Sequence, residues 1–350
     1  MENRIAGAVA PGSKEGVVAA VINFNTASLT ARCTQSLLKA GISKVAVLDN
    51  GSAIEDYLRL RSGHPEGEER VRIIRSEENL GFAQGSNQLI EGALQDPGCQ
   101  RILLLNSDAI VEAKGLGACL EAMQASGHDL MGGRMLKPAT AGESPQAVDS
   151  LGITLYKSLL ASNRTSTADT YLGPTGGFAV YSRRFLEEVT RLHGYVFDPA
   201  YFCYAEDTDL CVRARLMGSS VGYIDEVVAY HEGQASNAGQ YNDFILYHGI
   251  RNSIWMAAKS IPFWILVTHL HWYLILHAAI VVRHTVSGRW RTLVRLYRDA
   301  ITGLPAAIAK RRIVQASRRI TLREFGSLID PKFYESRFMK NAIRDLFRRT

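Results

Sequence analysis

Four short apolar runs constrain this chain more than anything else in it: Val17 to Ile22 (VVAAVI), Lys44 to Leu48 (KVAVL), Val71 to Ile74 and Arg101 to Leu105 (RILLL). They are rich in β-formers and nearly continuous, so the strands they predict are covered on both faces. Helical spacing between them, at Leu29, Leu37 and Leu38 within 28–40 and again over 82–94, supplies the covers. The economical architecture is an α/β fold with a mostly parallel sheet flanked by helices. In such sheets ligands bind beyond the carboxyl ends of the strands. Polar residues follow every run here: Asn23-Phe24-Asn25, Asp49-Asn50, Asn79 and Asn106-Ser107-Asp108. Four loops are thereby expected to face one crevice.

The chain is 350 residues long and 47% hydrophobic, enough for one large domain and an appendage. Residues 1–16 read as an N-terminal extension; they lack a basic stretch leading into an apolar core, so no cleavable leader is expected. Residues 17–239 read as the catalytic domain, divided near 134 into two halves, with a loop-rich middle over 135–172 and a second β/α portion over 173–230. Residues 240–350 read as a helical region. The five cysteines are scattered without a CxxC pair, which points away from zinc and from a disulfide framework and toward a reducing cytoplasm.

The net charge of +6 hides an asymmetry: from Arg251 onward there are 19 Lys/Arg against 5 Asp/Glu, so the preceding body is acidic. Directly before the basic tail, Ile261 to Val282 carries no charged residue. It is long enough to span a bilayer, but His269, His271 and His277 make a poor span, and Trp264, Trp272 and Tyr273 favour the headgroup boundary. The expectation is a helix lying in an anionic membrane surface, with the protein on the cytoplasmic face. A core helix or a contact in a homo-oligomer is the alternative. No nucleic-acid module accompanies the basic tail, so nucleic acid is not an expected partner.

Several residues carry chemistry. Asp108 ends an apolar strand, where a carboxylate can hold a hard cation or merely cap a turn. His231 follows a second strand candidate, 226–230, and imidazole suits a manganese-type ion. Glu206, Asp207 and Asp209 open a predicted helix; Asp209 and Arg213 have i,i+4 spacing, and acids in a first turn are favoured with or without chemistry. The aromatic wall Phe197-Asp198-Pro199 and Tyr201-Phe202-Cys203-Tyr204 precedes them, a setting that can raise a carboxylate's basicity. The small residues of Gly173-Pro174-Thr175-Gly176-Gly177-Phe178 would admit a ligand close to backbone, or form a plain turn. The GxxxxGK[ST], GxGxxG and GxSxG motifs are absent, which argues against NTPases, NAD enzymes and the common hydrolases.

In order along the chain these pieces resemble glycosyltransferase family 2, the inverting GT-A enzymes, and within it the rhamnosyltransferase-like branch. The motifs are Phe24-Asn25, Asp49-Asn50-Gly51-Ser52, Asn79-Leu80-Gly81-Phe82-Ala83-Gln84-Gly85-Ser86-Asn87, Asn106-Ser107-Asp108, Gly176-Gly177-Phe178 and Glu206-Asp207-Thr208-Asp209-Leu210, over roughly Val17 to Pro262. The resemblance implies that Phe24 packs by a nucleotide base that Asp49 hydrogen-bonds. It implies that Asn79, Gly81, Phe82 and Asn87 shape the nucleotide-sugar pocket, that Asn25 completes the opening aromatic-Asn pair with Phe24, and that Gly177 belongs to the acceptor-side glycine motif. Asn106-Ser107-Asp108 stands where the family often has D-x-D, so Asp108, helped by Asn106 and His231, would carry Mn or Mg. Asp207 would be the general base and Glu206 would support it. The implied donor is dTDP-rhamnose, with UDP-galactose or UDP-glucose as alternatives, and the implied acceptor is a lipid-linked or oligosaccharide chain whose diphosphate Arg251 would meet.

Overall fold

The computed structural model describes residues 14–64, 69–138, 147–233 and 243–335. Most of the expected N-terminal extension, residues 1–13, and the last part of the basic tail, 336–350, lie outside the described residues. The apolar runs form strands β1 (Val17–Asn23), β2 (Lys44–Asn50), β3 (Val71–Ser76) and β4 (Arg101–Asn106), separated by helices α1 (Ala27–Lys39), α2 (Ile54–Ser62) and α3 (Gly81–Leu94). Then come β5 (Ala109–Val111), α4 (Ala113–Ser126) and β6 (Leu130–Leu136). In the middle, where the sequence reads as loop, stand β7 (Val148–Ser150), β8 (Ile153–Tyr156) and β9 (Ala161–Asn163). Strands of three or four residues are too short to show a period, which is why they escape a sequence reading.

The second half continues with β10 (Phe178–Ser182), α5 (Arg183–His193), α6 (Glu206–Leu216) and β11 (Val221–His231). It ends with α7 (Asp243–Ser260), α8 (Phe263–Val286), α9 (Trp290–Ala316), α10 (Leu322–Gly326) and β12 (Ile329–Asp330).

The main sheet runs β3-β2-β1-β4-β10-β6-β11-β5, with β7 beside the end of β6. From β3 to β4 every pairing is parallel. Beyond β4 the sheet is mixed: β10 is antiparallel to both β4 and β6, β11 is parallel to β6, and β5 is antiparallel to β11. The mostly parallel arrangement therefore holds only for the first half. β5 begins three residues after β4 ends, too few for the crossover of a dozen or more residues that a parallel neighbour requires. A second sheet, β12-β8-β9, lies apart.

Side chains alternate along the strands. Val17, Ala19 and Val21 face a core shared with α1 and α4, and Val18 and Ala20 face one shared with α3, α5 and α6. A third layer covers α6 from outside: Val212 and Leu216 pack with Met256 and Ile261 of the α7 region, Val314 of α9 and Phe325 of α10. The change of composition near 240 is thus no break in packing. α8 rests on α9 through Leu276 and Ile280, and His277 Nδ1 lies 2.9 Å from the Tyr297 hydroxyl. α8 is long and apolar enough to cross a membrane, and only 17% of its apolar window is buried.

Candidate active site

The carboxyl ends of β1, β2 and β4 meet as polar loops. Asn23, the last residue of β1 and fully buried, donates from Nδ2 to Asp49 Oδ1 (2.9 Å), Ser52 Oγ (3.1 Å) and Asp56 Oδ2 (3.0 Å). Asp49 Oδ2 has no hydrogen-bond donor in reach; only Arg75 Nε stands at 3.9 Å. A buried carboxylate oxygen without a donor costs free energy unless a ligand supplies one. Phe24 is 44% exposed beside it. Asn25 adopts φ 55° and accepts from the Ala53 amide, which shapes this loop. Asn23 is marked in the sequence by its place after the first apolar run, but its partner Asp56 is not, because the bond between them spans 33 residues.

The next motif is largely a clamp. Asn79 Oδ1 accepts from Asn50 Nδ2 (3.0 Å) and from the Gly81 amide (2.9 Å). Gly81 has φ 73°, and a Cβ there would collide with the Phe202 carbonyl. Phe82 packs edge-on against Phe197. The Asn87 amide donates to the Phe197 carbonyl (2.7 Å) and accepts from its N–H (2.9 Å). Asn87 is therefore committed to the backbone that leads to α6, not to a bound ligand.

At the end of β4 the metal triplet meets β11. β5 pairs antiparallel with β11, setting His231 opposite Ala109, so Asp108 Oδ1 lies 3.0 Å from His231 Nε2. Asn106 Nδ2 is 3.3 Å from the same nitrogen. The opposite ring nitrogen, Nδ1, faces Asp149 Oδ2 at 2.9 Å. Burial lowers the imidazole's proton affinity, but the bonds and charges of Asp108 and Asp149 outweigh it and lift the pKa to about 10. Asp149, on β7, lies in the stretch expected to be loop and was not anticipated. Among the described residues no three or more metal-ligating side chains form a ready cluster, and the ring explains it: the two carboxylates occupy opposite nitrogens. A cation that displaced the Nε2 proton would be offered Asp108 and His231 Nε2. This oxygen and nitrogen pair fits a Mn- or Mg-type cation that takes its remaining ligands from phosphate and water, with Asp149 orienting the ring.

The turn 175–177 joins this triplet to α6. The Asn106 amide donates to the Gly177 carbonyl (3.1 Å), and the Gly176 amide donates to Asp207 Oδ2 (2.9 Å). A Cβ on Gly177 would press on the end of the Met135 side chain. Asp207 Oδ1 accepts from the Thr208 amide at 2.6 Å. Burial, partly offset by these amides, holds the Asp207 carboxyl above its ordinary range. Burial and the neighbouring Asp207 push Glu206 well above its range, and Glu206 Oε2 has no hydrogen-bond partner.

Two residues on, Asp209 has the opposite surroundings. It is fully buried with Arg213 Nε at 2.8 Å, Lys259 Nζ at 3.0 Å and Ser260 Oγ at 2.7 Å. Lys259 also holds Asp198 (2.7 Å), which Lys310 meets from α9 (2.6 Å). Burial works against ionisation of Asp209, yet Lys259 and Arg213 prevail and keep its pKa below the usual value. The i,i+4 pair expected from the sequence is present, embedded in a network that bolts α6 to α7 and α9.

The aromatic wall is mostly used inside the protein. Tyr201 is buried and stacks on Trp255, and Phe202 stacks on His248. The backbone here is strained. Phe202 (φ 62°, ψ −65°) centres a γ-turn closed by the Cys203 amide on the Tyr201 carbonyl (2.7 Å), and Tyr204 and Ala205 have φ 68° and 65°. Such conformations cost on the order of 1–3 kcal/mol each in residues other than glycine. Arg251 is buried, bonded to Asn252 and Tyr247 and set over the Trp255 ring.

The strand-end loops, the His231 corner and the start of α6 belong to a GT-A-type α/β fold followed by C-terminal helices. Residues 19–190 match the family model of Glycosyl transferase family 2. A low-salt glycan biosynthesis hexosyltransferase, Agl10 of Haloferax volcanii, is 23% identical over 230 residues, 63% of this chain and 69% of the relative. Among solved structures, the mannosyltransferase PcManGT of Pyrobaculum calidifontis in complex with GDP-Man and Mn²⁺ aligns with a TM-score of 0.51 at 14% identity, covering 89% of this chain and 88% of that one. TarS 1–349 of S. aureus in complex with UDP-GlcNAc aligns at 0.51 and 15%, covering 86% and 90%. The family match and the shared fold support glycosyl transferase family 2.

Proposed function

We propose that the protein is a metal-dependent, inverting glycosyltransferase that moves a sugar from a nucleoside diphosphate onto a hydroxyl acceptor in glycan biosynthesis. The observation that supports this reading is the hydrogen-bonded path from Asn106 through Gly177 and Gly176 to Asp207, which links the Asp108–His231 corner to a carboxylate of raised basicity. In this reading Phe24 stacks on the base and Asp49 Oδ2 accepts an N–H from it. A divalent cation held by Asp108 and His231 would neutralise the departing diphosphate. Asp207 takes the proton of the acceptor hydroxyl, whose oxygen attacks the anomeric carbon opposite the leaving group; the bond to the diphosphate breaks and the configuration inverts. Glu206, whose carboxyl burial and the neighbouring Asp207 push upward, supports Asp207 as the base.

The donor follows from the sequence resemblance: dTDP-rhamnose, with UDP-galactose or UDP-glucose as the alternatives. A thermal-shift panel of nucleotide sugars with Mn²⁺ tests this, because a ligand of the folded state alone raises stability by mass action. The true donor should stand out with the native chain and lose its Mn²⁺-dependent shift in Asp108→Ala. A shift unchanged in that variant would remove the metal role of Asp108.

The acceptor is lipid-linked or membrane-held in this reading. α8 exposes Trp264, Leu270, Leu274 and Val282, and α9 interleaves exposed Trp290, Val294 and Ile301 with Arg291, Arg295 and Arg298. An apolar face rimmed by arginines matches the interface of an anionic bilayer at the cytoplasmic side. His277 and His284 turn inward while Thr268 and His271 stay exposed among the apolar residues, a mixture that suits lying on the surface better than crossing it.

A further inference from the structure

We infer that Asn252, on α7, is a positioning residue that holds the strained turn 202–205 and thereby aims Asp207. The inference rests on Asp207 being the base, and it concerns how that base is placed.

Asn252 is fully buried. Its Nδ2 lies 2.9 Å from the Tyr201 carbonyl, 2.8 Å from that of Cys203 and 2.7 Å from that of Tyr204. One amide nitrogen thus gathers three carbonyls of a segment in which Phe202, Tyr204 and Ala205 all have positive φ. Ala205 is the residue before α6, so its left-handed conformation sets the direction in which Glu206 and Asp207 leave the turn. The orientation of the Asn252 amide is fixed as well: Arg251 donates to Oδ1 from Nε (2.9 Å) and from the guanidinium end (2.8 Å). A guanidinium can only donate, so the oxygen of Asn252 must face it and the NH₂ must face the turn.

The turn also touches the donor side. The Ala83 amide donates to the Phe202 carbonyl (3.0 Å), which lies where a Cβ of Gly81 would be. Strain of this kind persists only where surroundings over-determine the backbone. Here the surroundings include the Asn252 amide from α7 and the Ala83 amide from α3, with the Arg251 guanidinium 3.3 Å from the Tyr201 carbonyl and His248 stacked on Phe202, and the two amides connect the Asn79–Asn87 motif to Asp207. This gives Tyr247-His248-Gly249-Ile250-Arg251-Asn252 a role that its position outside the catalytic half conceals.

The test uses the full chain and Asn252→Ala. Nucleotide-sugar turnover should fall about 10- to 100-fold, while the affinity for UDP or dTDP with Mn²⁺ changes by less than about threefold; such a kcat-only loss is the mark of a group misplaced in the transition state. Amide exchange should speed up at Ala83 and at 202–205 but not in β1 or β4. Adding Ala205→Gly, which adopts positive φ without a Cβ clash, should return turnover at least about threefold. Arg251→Lys, which loses the fork but keeps the charge, should give a weaker form of the same loss and serves if the alanine variant does not fold. Unchanged turnover, or losses of turnover, nucleotide affinity and amide protection spread over the whole domain with no rescue by glycine, would overturn the inference. The exchange pattern is read without activity, so a failure of the transferase reading leaves it separately measurable.

Discussion

Helix α6 has two faces that treat similar carboxylates in opposite ways. Asp207, toward the crevice, accepts hydrogen bonds only from the Gly176 amide and from Thr208, and its carboxyl sits above the ordinary range. Asp209, toward α7, meets Arg213, Lys259 and Ser260, and its carboxyl sits below the range. Asp209 is fully buried and Asp207 only half-buried, so burial by itself would raise Asp209 the more, which is the opposite of the order found. Cations make the difference: the cluster around Asp198 and Asp209 holds three of them, Arg213, Lys259 and Lys310, against two carboxylates, whereas Asp207 has none bonded to it. A carboxylate paired to cations is a fastener. One that meets only amides and a hydroxyl keeps its basicity.

The sharpest way to break this contrast is Asp207→Asn. Turnover should fall by about 10²- to 10⁴-fold while calorimetric affinity for the nucleoside diphosphate with Mn²⁺ is retained; near-normal turnover would remove Asp207 as base. On the other face, Lys259→Met should destabilise the fold by about 3–5 kcal/mol, because it leaves buried carboxylates short of a partner. Denaturant melts would show this, and a melt within 1 kcal/mol of the native one would mean that the cluster is not a fastener.

The two faces should also separate along pH. The raised pKa of Asp207 puts the acid limb of kcat above the ordinary carboxylate value near 4. Asp198 and Asp209 have folded pKa values below their unfolded ones. Their contribution to stability is therefore complete above about pH 4 and lost as the pH falls through the folded values. Activity should disappear on acidification while circular dichroism still reports a folded chain. Coincident loss of both would sink the distinction. The smallest effect concerns the outer layer. Leu274→Glu on α8 should weaken binding to anionic vesicles by about 10-fold or more, given roughly 1.5–3 kcal/mol for a buried leucine, and leave turnover of a soluble acceptor unchanged. Equal binding by both proteins would refute the membrane face.

Much of the donor side was legible in the chain. Continuous apolar runs announce strands covered on both faces, and the side-chain periodicity of β1 bears this out, with Val17 and Ala19 in one core and Val18 and Ala20 in the other. The mixed far half was not legible, since pairing partners such as β5 and β11 lie more than a hundred residues apart. Asp149 was missed for a related reason: it reaches His231 because β7 is laid along the end of β6, and a three-residue strand has no signature. The burial of Arg251 was not legible either, because it depends on α7 packing against α6.

The sequence by itself determined which chemical groups are present and in what order: the strand-end amides and acids, the glycines at the turn, the two carboxylates two residues apart in α6. Order and local pattern depend on nearest neighbours, which a chain displays directly. The tertiary structure decided the surroundings of the two carboxylates, amides and a hydroxyl for Asp207 and cations for Asp209. That outcome depends on what α7 and α9 place beside α6, and proton affinity is set by the charges and donors within a few ångströms in space, wherever they lie along the chain.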